Sequence, residues 1–137
     1  MASGSTSALR AWRILVVDDE ALVALTLQDG LSKLLGGEVA AATSGEQALQ
    51  LIRQQPFDLL ITDYRMPNMN GITLVERAHE MYPGLLSVMI TADPSDELRD
   101  QATHGSIQCI LHKPITLTEL RSVIEALVRS GTGTTGE

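Results

Sequence analysis

Lysine, aromatic residues and cysteine are all scarce in this chain, and each scarcity closes off a class of function. Lysine occurs twice, as Lys33 and Lys113. Lys and Arg together number 10 against 17 Asp and Glu, for a formal net charge of −7. Sequence-independent nucleic-acid binding needs a cationic surface that such a chain lacks. The rings are Trp12, Phe57, Tyr64 and Tyr82, 3% of the residues, and scattered rings make no stacking platform for bases. A single cysteine, Cys109, forbids an internal disulfide and a cysteine-based zinc site. It fits a reducing, cytoplasmic setting. Met1 to Arg13 has no signal-peptide apolar core, and no apolar run reaches the length of a membrane span. Neither nucleic acid nor a membrane is therefore an expected partner.

What is present suits one soluble domain. The 137 residues are 44% hydrophobic and 20% charged, enough for a core without staples. Ala2–Ala8 (ASGSTSA) and Ser130–Glu137 (SGTGTTGE) have the composition of flexible linkers. The reading is thus tails at 1–10 and 130–137 around a domain at 11–129.

Inside that domain, strand-like and helix-like segments alternate. Ile14–Val17 (ILVV) and Leu59–Thr62 (LLIT) are short aliphatic runs, the pattern of strands buried on both faces. Val39–Ala42, Leu85–Thr91 and Ile107–Leu111 supply three more strands. Helices are predicted over Glu20–Leu35, stopped by Gly36-Gly37, and over Gly45–Gln54, with Ser44 and Gln47 as a capping box. Three more follow: Ile72–Met81 after a loop at Pro67–Gly71, a helix capped by Ser95 and running to about His104, and Leu117–Arg129 capped by Thr116. Five βα units in strict alternation predict an α/β fold, a parallel sheet with helices on both faces. Chemistry in such sheets sits at the carboxyl ends of the strands.

The residues at those ends form a coherent set. Asp18, Asp19 and Glu20 follow the first strand, Asp63 the third, Thr91 ends the fourth and Lys113 follows the fifth. Carboxylates held close together repel and require a cation. No His or Cys accompanies them, so a hard, oxygen-seeking ion such as Mg²⁺ or Mn²⁺ suits the set. Such an ion shares phosphate oxygens, Lys113 adds a point charge and Thr91 a hydroxyl. Asp63 is then free to act as a nucleophile and form an acyl phosphate. The chemistry described is phosphoryl transfer to an aspartate.

Four motifs carry a resemblance: ILVVDDE at 14–20, ITDYRMPNMNG at 61–71, MITAD at 89–93 and LHKPI at 111–115. With them the chain resembles the response-regulator receiver domains of two-component signalling, over nearly all of its length between the tails. The resemblance implies a chemotaxis-regulator-like, flavodoxin-like sheet of order 2-1-3-4-5 with five helices. It makes Asp63 the phosphoacceptor. It assigns Asp18, Asp19 (the more direct ligand), Asp63 and the Arg65 backbone carbonyl to the metal. It gives Thr91 and Lys113 contact with the phosphoryl group, with Thr91 coupling it to a conformational switch. The Lys113–Pro114 bond is expected to be cis. A histidine kinase or histidine phosphotransfer protein is the implied donor, and protein contact the implied output. Turnover is confined to slow autophosphorylation and autodephosphorylation. The same resemblance fits a stand-alone regulator and a domain from a hybrid kinase or longer regulator.

One feature departs from the family, and one pair of residues bears on phosphoryl lifetime. An aromatic residue is expected three positions before the lysine, where this chain has Ile110, or Cys109 if the segment from Gly105 is read one residue longer. Arg65 and Asp93 occupy positions that tune phosphoryl lifetime in the family, and are expected to pair across the site mouth.

Plainer readings stand beside these. Acidic residues at 18 and 19 also suit a helix N-terminus. Asp63 is a common turn former, Thr91 an ordinary strand residue and Lys113 an ordinary surface charge. Cys109 reads as a small core residue; Met66 and Met69 read as packing side chains; His79, His104 and His112 read as surface residues. Ala21–Leu27 carries no charge. Val23, Leu27, Leu31 and Leu34 form the stripe expected to face the sheet, turning Leu22 and Leu25 outward. Those two leucines are either ordinary exposed residues or a docking patch for the helical donor. An aspartyl-nucleophile phosphatase of the haloacid-dehalogenase type is the competing enzyme, but it places its nucleophile after the first strand. Flavin or nucleotide binding would need a Gly-rich phosphate loop that is missing.

Overall fold

A computed structural model describes residues 12–92 and 107–136, with side chains described through Ser130. The expected N-terminal tail, Asp93 and the Ser95-capped helix lie outside the described residues. Five parallel strands, β1 (Arg13–Val17), β2 (Glu38–Ala42), β3 (Leu59–Asp63), β4 (Leu86–Thr91) and β5 (Cys109–His112), form one sheet of order β2-β1-β3-β4-β5. Four helices flank it among the described residues: α1 (Ala21–Leu35), α2 (Gly45–Gln54), α3 (Gly71–Met81) and α4 (Leu117–Gly136). The doubly wound architecture and the strand order are those the sequence predicts.

The sheet holds because its central strands are apolar on both sides. Ile14, Val16, Leu59, Ile61, Val88 and Ile90 pack on one face with Leu31 and Leu35 of α1 and Leu120, Ile124 and Val128 of α4. Their neighbours in sequence, Leu15, Val17, Leu60 and Met89, pack on the other face with Leu49 and Ile52 of α2 and Leu74, Val75 and Ala78 of α3. Every β3 residue is buried. Each fully buried aliphatic side chain contributes about 1.5–3 kcal/mol, so the two layers fix the sheet firmly. Trp12, just before β1, is half-buried against the α1/α4 layer.

Local signals set most element ends. Gly36 ends α1 in the left-handed conformation (φ 72°), its N–H donating to the Ser32 carbonyl at 2.9 Å. Ser44 caps α2 by accepting from the Gln47 N–H at 3.1 Å. The Gln47 side chain reaches back one residue further than a capping box requires, to the Thr43 N–H at 2.7 Å. The full box is at α4: Thr116 Oγ1 accepts from the Glu119 N–H at 3.1 Å, and Glu119 Oε1 from the Thr116 N–H at 2.9 Å.

Three expectations need correction. Leu34 is 40% exposed, while Ala24, Leu31 and Leu35 are buried; the buried stripe of α1 is rotated from the one expected, a shift that hydrophobic spacing alone does not resolve. β5 begins at Cys109 rather than Ile107, because Gln108 is occupied with Ser87: its N–H donates to the Ser87 carbonyl and its Oε1 accepts from the Ser87 N–H. The last helix passes Arg129 and runs to Gly136, since extending a formed helix is far cheaper than starting one.

Between β3 and α3 the chain turns sharply. Asn68 adopts a positive φ of 70°, which Asn tolerates better than most residues. Asn70 caps α3 by accepting from the Thr73 N–H at 2.9 Å. Gly71 donates to the Tyr64 carbonyl at 2.8 Å. A Cβ on Gly71 would sit 2.5 Å from the Asp63 carbonyl oxygen and 3.1 Å from Tyr64 Cα, both backbone atoms. Only glycine lets α3 start this close to the end of β3.

Gly71→Ala is therefore expected to lower stability by about 1–3 kcal/mol, as overpacking does, although alanine is the better helix former by about 1 kcal/mol. Gly84→Ala, where an added Cβ meets nothing within 4 Å, should leave the urea midpoint nearly unchanged. Equal midpoints for the two variants would refute the close-approach argument.

Candidate functional site

The carboxyl ends of four strands deliver their polar residues to one corner. Asp18 is 4% exposed, Asp63 9% and Thr91 1%, while Asp19 is exposed. One carboxylate oxygen from each of Asp18, Asp19 and Asp63 lies within 4.8 Å of the others. Lys113 Nζ is 3.3 Å from Asp63 Oδ1 and 3.9 Å from Asp18 Oδ2. The Lys113–Pro114 peptide is cis. The Lys113 N–H donates to the Thr91 carbonyl at 2.9 Å, so the ends of β4 and β5 are tied together beside the carboxylates.

The electrostatics of this corner are those of crowded like charge. Burial holds the Asp63 carboxyl above its ordinary pKa, the Lys113 ammonium pulls it back, and the neighbouring Asp18 pushes it up again. One lysine faces two nearly buried carboxylates and a third on the surface. The donor set is entirely oxygen, without His or Cys, and fits a hard divalent cation.

Asp18 has a second duty that the sequence does not reveal. Its Oδ1 accepts the Glu20 N–H at 2.9 Å, satisfying an N–H at the start of α1. One Asp18 oxygen thus serves the start of α1, as the helix-terminus reading expects, while the other faces Lys113. Glu20 itself is the exposed N-cap of α1 and makes no side-chain cap bond. Past β3, the Asp63 carbonyl accepts the buried Thr62 hydroxyl at 2.9 Å, and the Tyr64 carbonyl accepts Gly71. Arg65 is exposed; its expected pairing partner, Asp93, is outside the described residues.

The remaining candidates sort by face. Ile110 pairs in register with Met89 and packs against the α2/α3 layer, whereas Cys109 packs against the α1/α4 layer. The position three residues before Lys113 is thus Ile110, and the shifted reading through Cys109 falls on the opposite face. Cys109 is half-buried, and burial raises its thiol pKa, as expected of a packing residue. Met66 and Met69 are buried in the core. Leu22 and Leu25 are 77% and 56% exposed on α1. His112 is exposed, as expected; sequence reasoning missed the reach of its Nε2, 3.2 Å from the Ala92 carbonyl, and the spacing role of Gly71, for which a glycine opening a helix was the available signal.

Comparison with known proteins agrees with this geometry. The response regulator receiver domain model matches residues 14–125. A response regulator receiver protein of Anaeromyxobacter is 37% identical over 112 residues, 79% of this chain and 45% of that protein. A probable chemotaxis protein CheY of Rhizobium etli is 30% identical over 117 residues, 84% of this chain and 91% of that protein. The sensor protein EvgS of Escherichia coli is 37% identical over 114 residues, 83% of this chain but 9% of that protein. The chain therefore spans under half of the first relative, a small part of the third and nearly all of the second. Among solved structures, a CheY-like receiver domain protein from Methanospirillum hungatei superposes with a TM-score of 0.85 at 27% identity, covering 90% of this chain and 98% of its own. No helix of the described residues is long and apolar enough to cross a membrane. Sheet order, acidic corner and family match converge: the chain belongs to the response regulator receiver domains of two-component signalling.

Proposed function

We propose that Asp63 accepts a phosphoryl group from a phosphohistidine, presented by a histidine kinase or histidine phosphotransfer protein, and that the protein then signals through contact with another protein. The observation that carries this reading is the Lys113 ammonium 3.3 Å from Asp63 Oδ1, inside a trio of carboxylates whose oxygens lie within 4.8 Å of one another. An Asp63 oxygen attacks phosphorus, the P–N bond of the donor breaks, and the imidazole leaves with that electron pair and takes up a proton. Asp18, Asp19, Asp63 and the Arg65 backbone carbonyl are the groups that would hold Mg²⁺ or Mn²⁺. Such an ion, when bound, offsets the negative charge gathered between the carboxylates and the phosphoryl oxygens.

The chain's own residues do the rest. Lys113 supplies positive charge from the sheet end beside the acceptor, where half-exclusion of water strengthens it. Thr91, buried at the end of β4, offers its hydroxyl to the phosphoryl oxygens. Ile110 occupies the position where an aromatic would swing inward, so movement passes through the Thr91 strand end rather than a ring flip. Leu22 and Leu25, exposed on the helix that follows Asp18 and Asp19, form the surface on which a helical donor docks. A sensor histidine kinase, RcsC of Salmonella typhi, contains a stretch like this one, which fits a donor of that kind, and the cytoplasm is the compartment that such a donor implies.

Acetyl phosphate with Mg²⁺ should place one phosphoryl adduct on the wild-type protein and none on Asp63→Ala, read by intact mass. A chelator in excess should abolish the wild-type adduct. Adducts on both proteins, or on neither, would overturn the assignment of Asp63.

Replacing Leu22 and Leu25 by Ser should slow transfer from the donor kinase by roughly tenfold or more, since each buried leucine is worth about 1.5–3 kcal/mol. Labelling by acetyl phosphate should be unchanged. Kinase transfer at the wild-type rate would remove these leucines from the docking surface.

A further inference from the structure

The β4–β5 exit carries a contact that the phosphoacceptor reading leaves unused. Thr91 and His112 are register partners across the two strands. The last carbonyl of β4 and the one after it are contacted by Lys113 and His112, consecutive residues at the end of β5. The Thr91 carbonyl accepts the Lys113 N–H at 2.9 Å. The Ala92 carbonyl lies 3.2 Å from His112 Nε2. A carbonyl only accepts, so Nε2 carries the proton. Lys113, next in the chain, places its ammonium 3.3 Å from Asp63. The chain at Thr91 and Ala92 is thereby held through two successive carbonyls, one by the residue that faces Asp63 and one by its immediate neighbour.

We propose that His112 is a positioning residue of this domain, a latch whose ring N–H holds the Ala92 carbonyl, and with it the end of β4, in the unphosphorylated arrangement. The proposal rests on Asp63 being the acceptor and on the Thr91 hydroxyl being drawn to its phosphoryl group. With Ile110 at the position where a ring would otherwise move, the Thr91–Ala92 peptide is the element left to shift. Because β4 lies between β3 and β5, a displacement of Thr91 and Ala92 toward Asp63 draws the Ala92 carbonyl away from His112. Because the ring is exposed, water can take over its N–H when the latch opens, so opening is not penalised by a stranded buried donor. The bond therefore biases the equilibrium between the two arrangements without locking it.

The test uses the full chain with Mg²⁺ and acetyl phosphate, following the adduct by intact mass and the His112 ring nitrogens by nitrogen-15 NMR. The expected result is an Nε2 signal that moves as the Asp63 adduct accumulates and stays fixed in Asp63→Asn. His112→Phe keeps the ring and loses the donor; it should label about threefold faster than wild type, the shift that loss of one hydrogen bond of ordinary net strength produces. His112→Gln restores a donor and should return the rate toward wild type. An adduct on Asp63 with a stationary ring signal, or equal labelling rates in all three proteins, overturns the latch and leaves the acceptor reading intact. Lower thermal stability of His112→Phe with unchanged labelling assigns the contact to structure alone and also overturns it. No adduct on any protein sinks the acceptor reading and the latch together.

Discussion

Three carboxylates brought to one corner of a parallel sheet repel one another, and the surrounding structure is what holds them there. Asp18 and Asp63 are nearly buried, and the cation facing both is Lys113. Such crowding survives only if the strands that carry the charges cannot relax apart. β3, which carries Asp63, is buried along its full length and hydrogen-bonded between β1 and β4. β1, which delivers Asp18 and Asp19, is locked between β2 and β3. The apolar layers above and below thus serve the site as much as they serve stability. They keep three carboxylates together at a corner open to solvent on the Asp19 side, where the proposed cation and phosphoryl group would sit.

The same constraint explains why the structure is tight where it touches the acceptor strand. The Asp63 carbonyl is fixed by the Thr62 hydroxyl, the Tyr64 carbonyl by Gly71, and the Tyr64 N–H by the Ile90 carbonyl. The Tyr64 backbone is thus tied on one side to β4 and on the other to α3. At the β4–β5 end, the contacts include a backbone bond from Lys113 and one from an exposed histidine ring. On the proposed function, this arrangement would keep Asp63 in place while the end of β4 moves.

Much of this was legible in the sequence because parallel strands covered on both faces read as unbroken aliphatic runs. ILVV and LLIT announce β1 and β3, and the rule that chemistry gathers at strand ends picks out Asp18, Asp19, Asp63, Thr91 and Lys113 before any coordinate is known. What was not legible has physical causes. Whether Leu34 or Leu35 of α1 turns inward depends on the helix's rotation against the sheet, which tertiary packing sets. The start of β5 depends on Gln108 choosing Ser87, a contact across 21 residues. The double duty of Asp18 and the reach of His112 to Ala92 are individual hydrogen bonds, and no periodicity encodes them.

Trp12 is the sole tryptophan, and it is seated in the α1/α4 layer at the opposite end of β1 from Asp18. One strand length, roughly 17 Å, separates its indole from the acidic corner. Its fluorescence should follow loss of the core during unfolding while responding little to a change of charge at that corner. The molecule thus contains an optical gauge of its own integrity that is spatially insulated from the acidic corner, so a stability titration and a titration of that corner can be run on one sample without either contaminating the other.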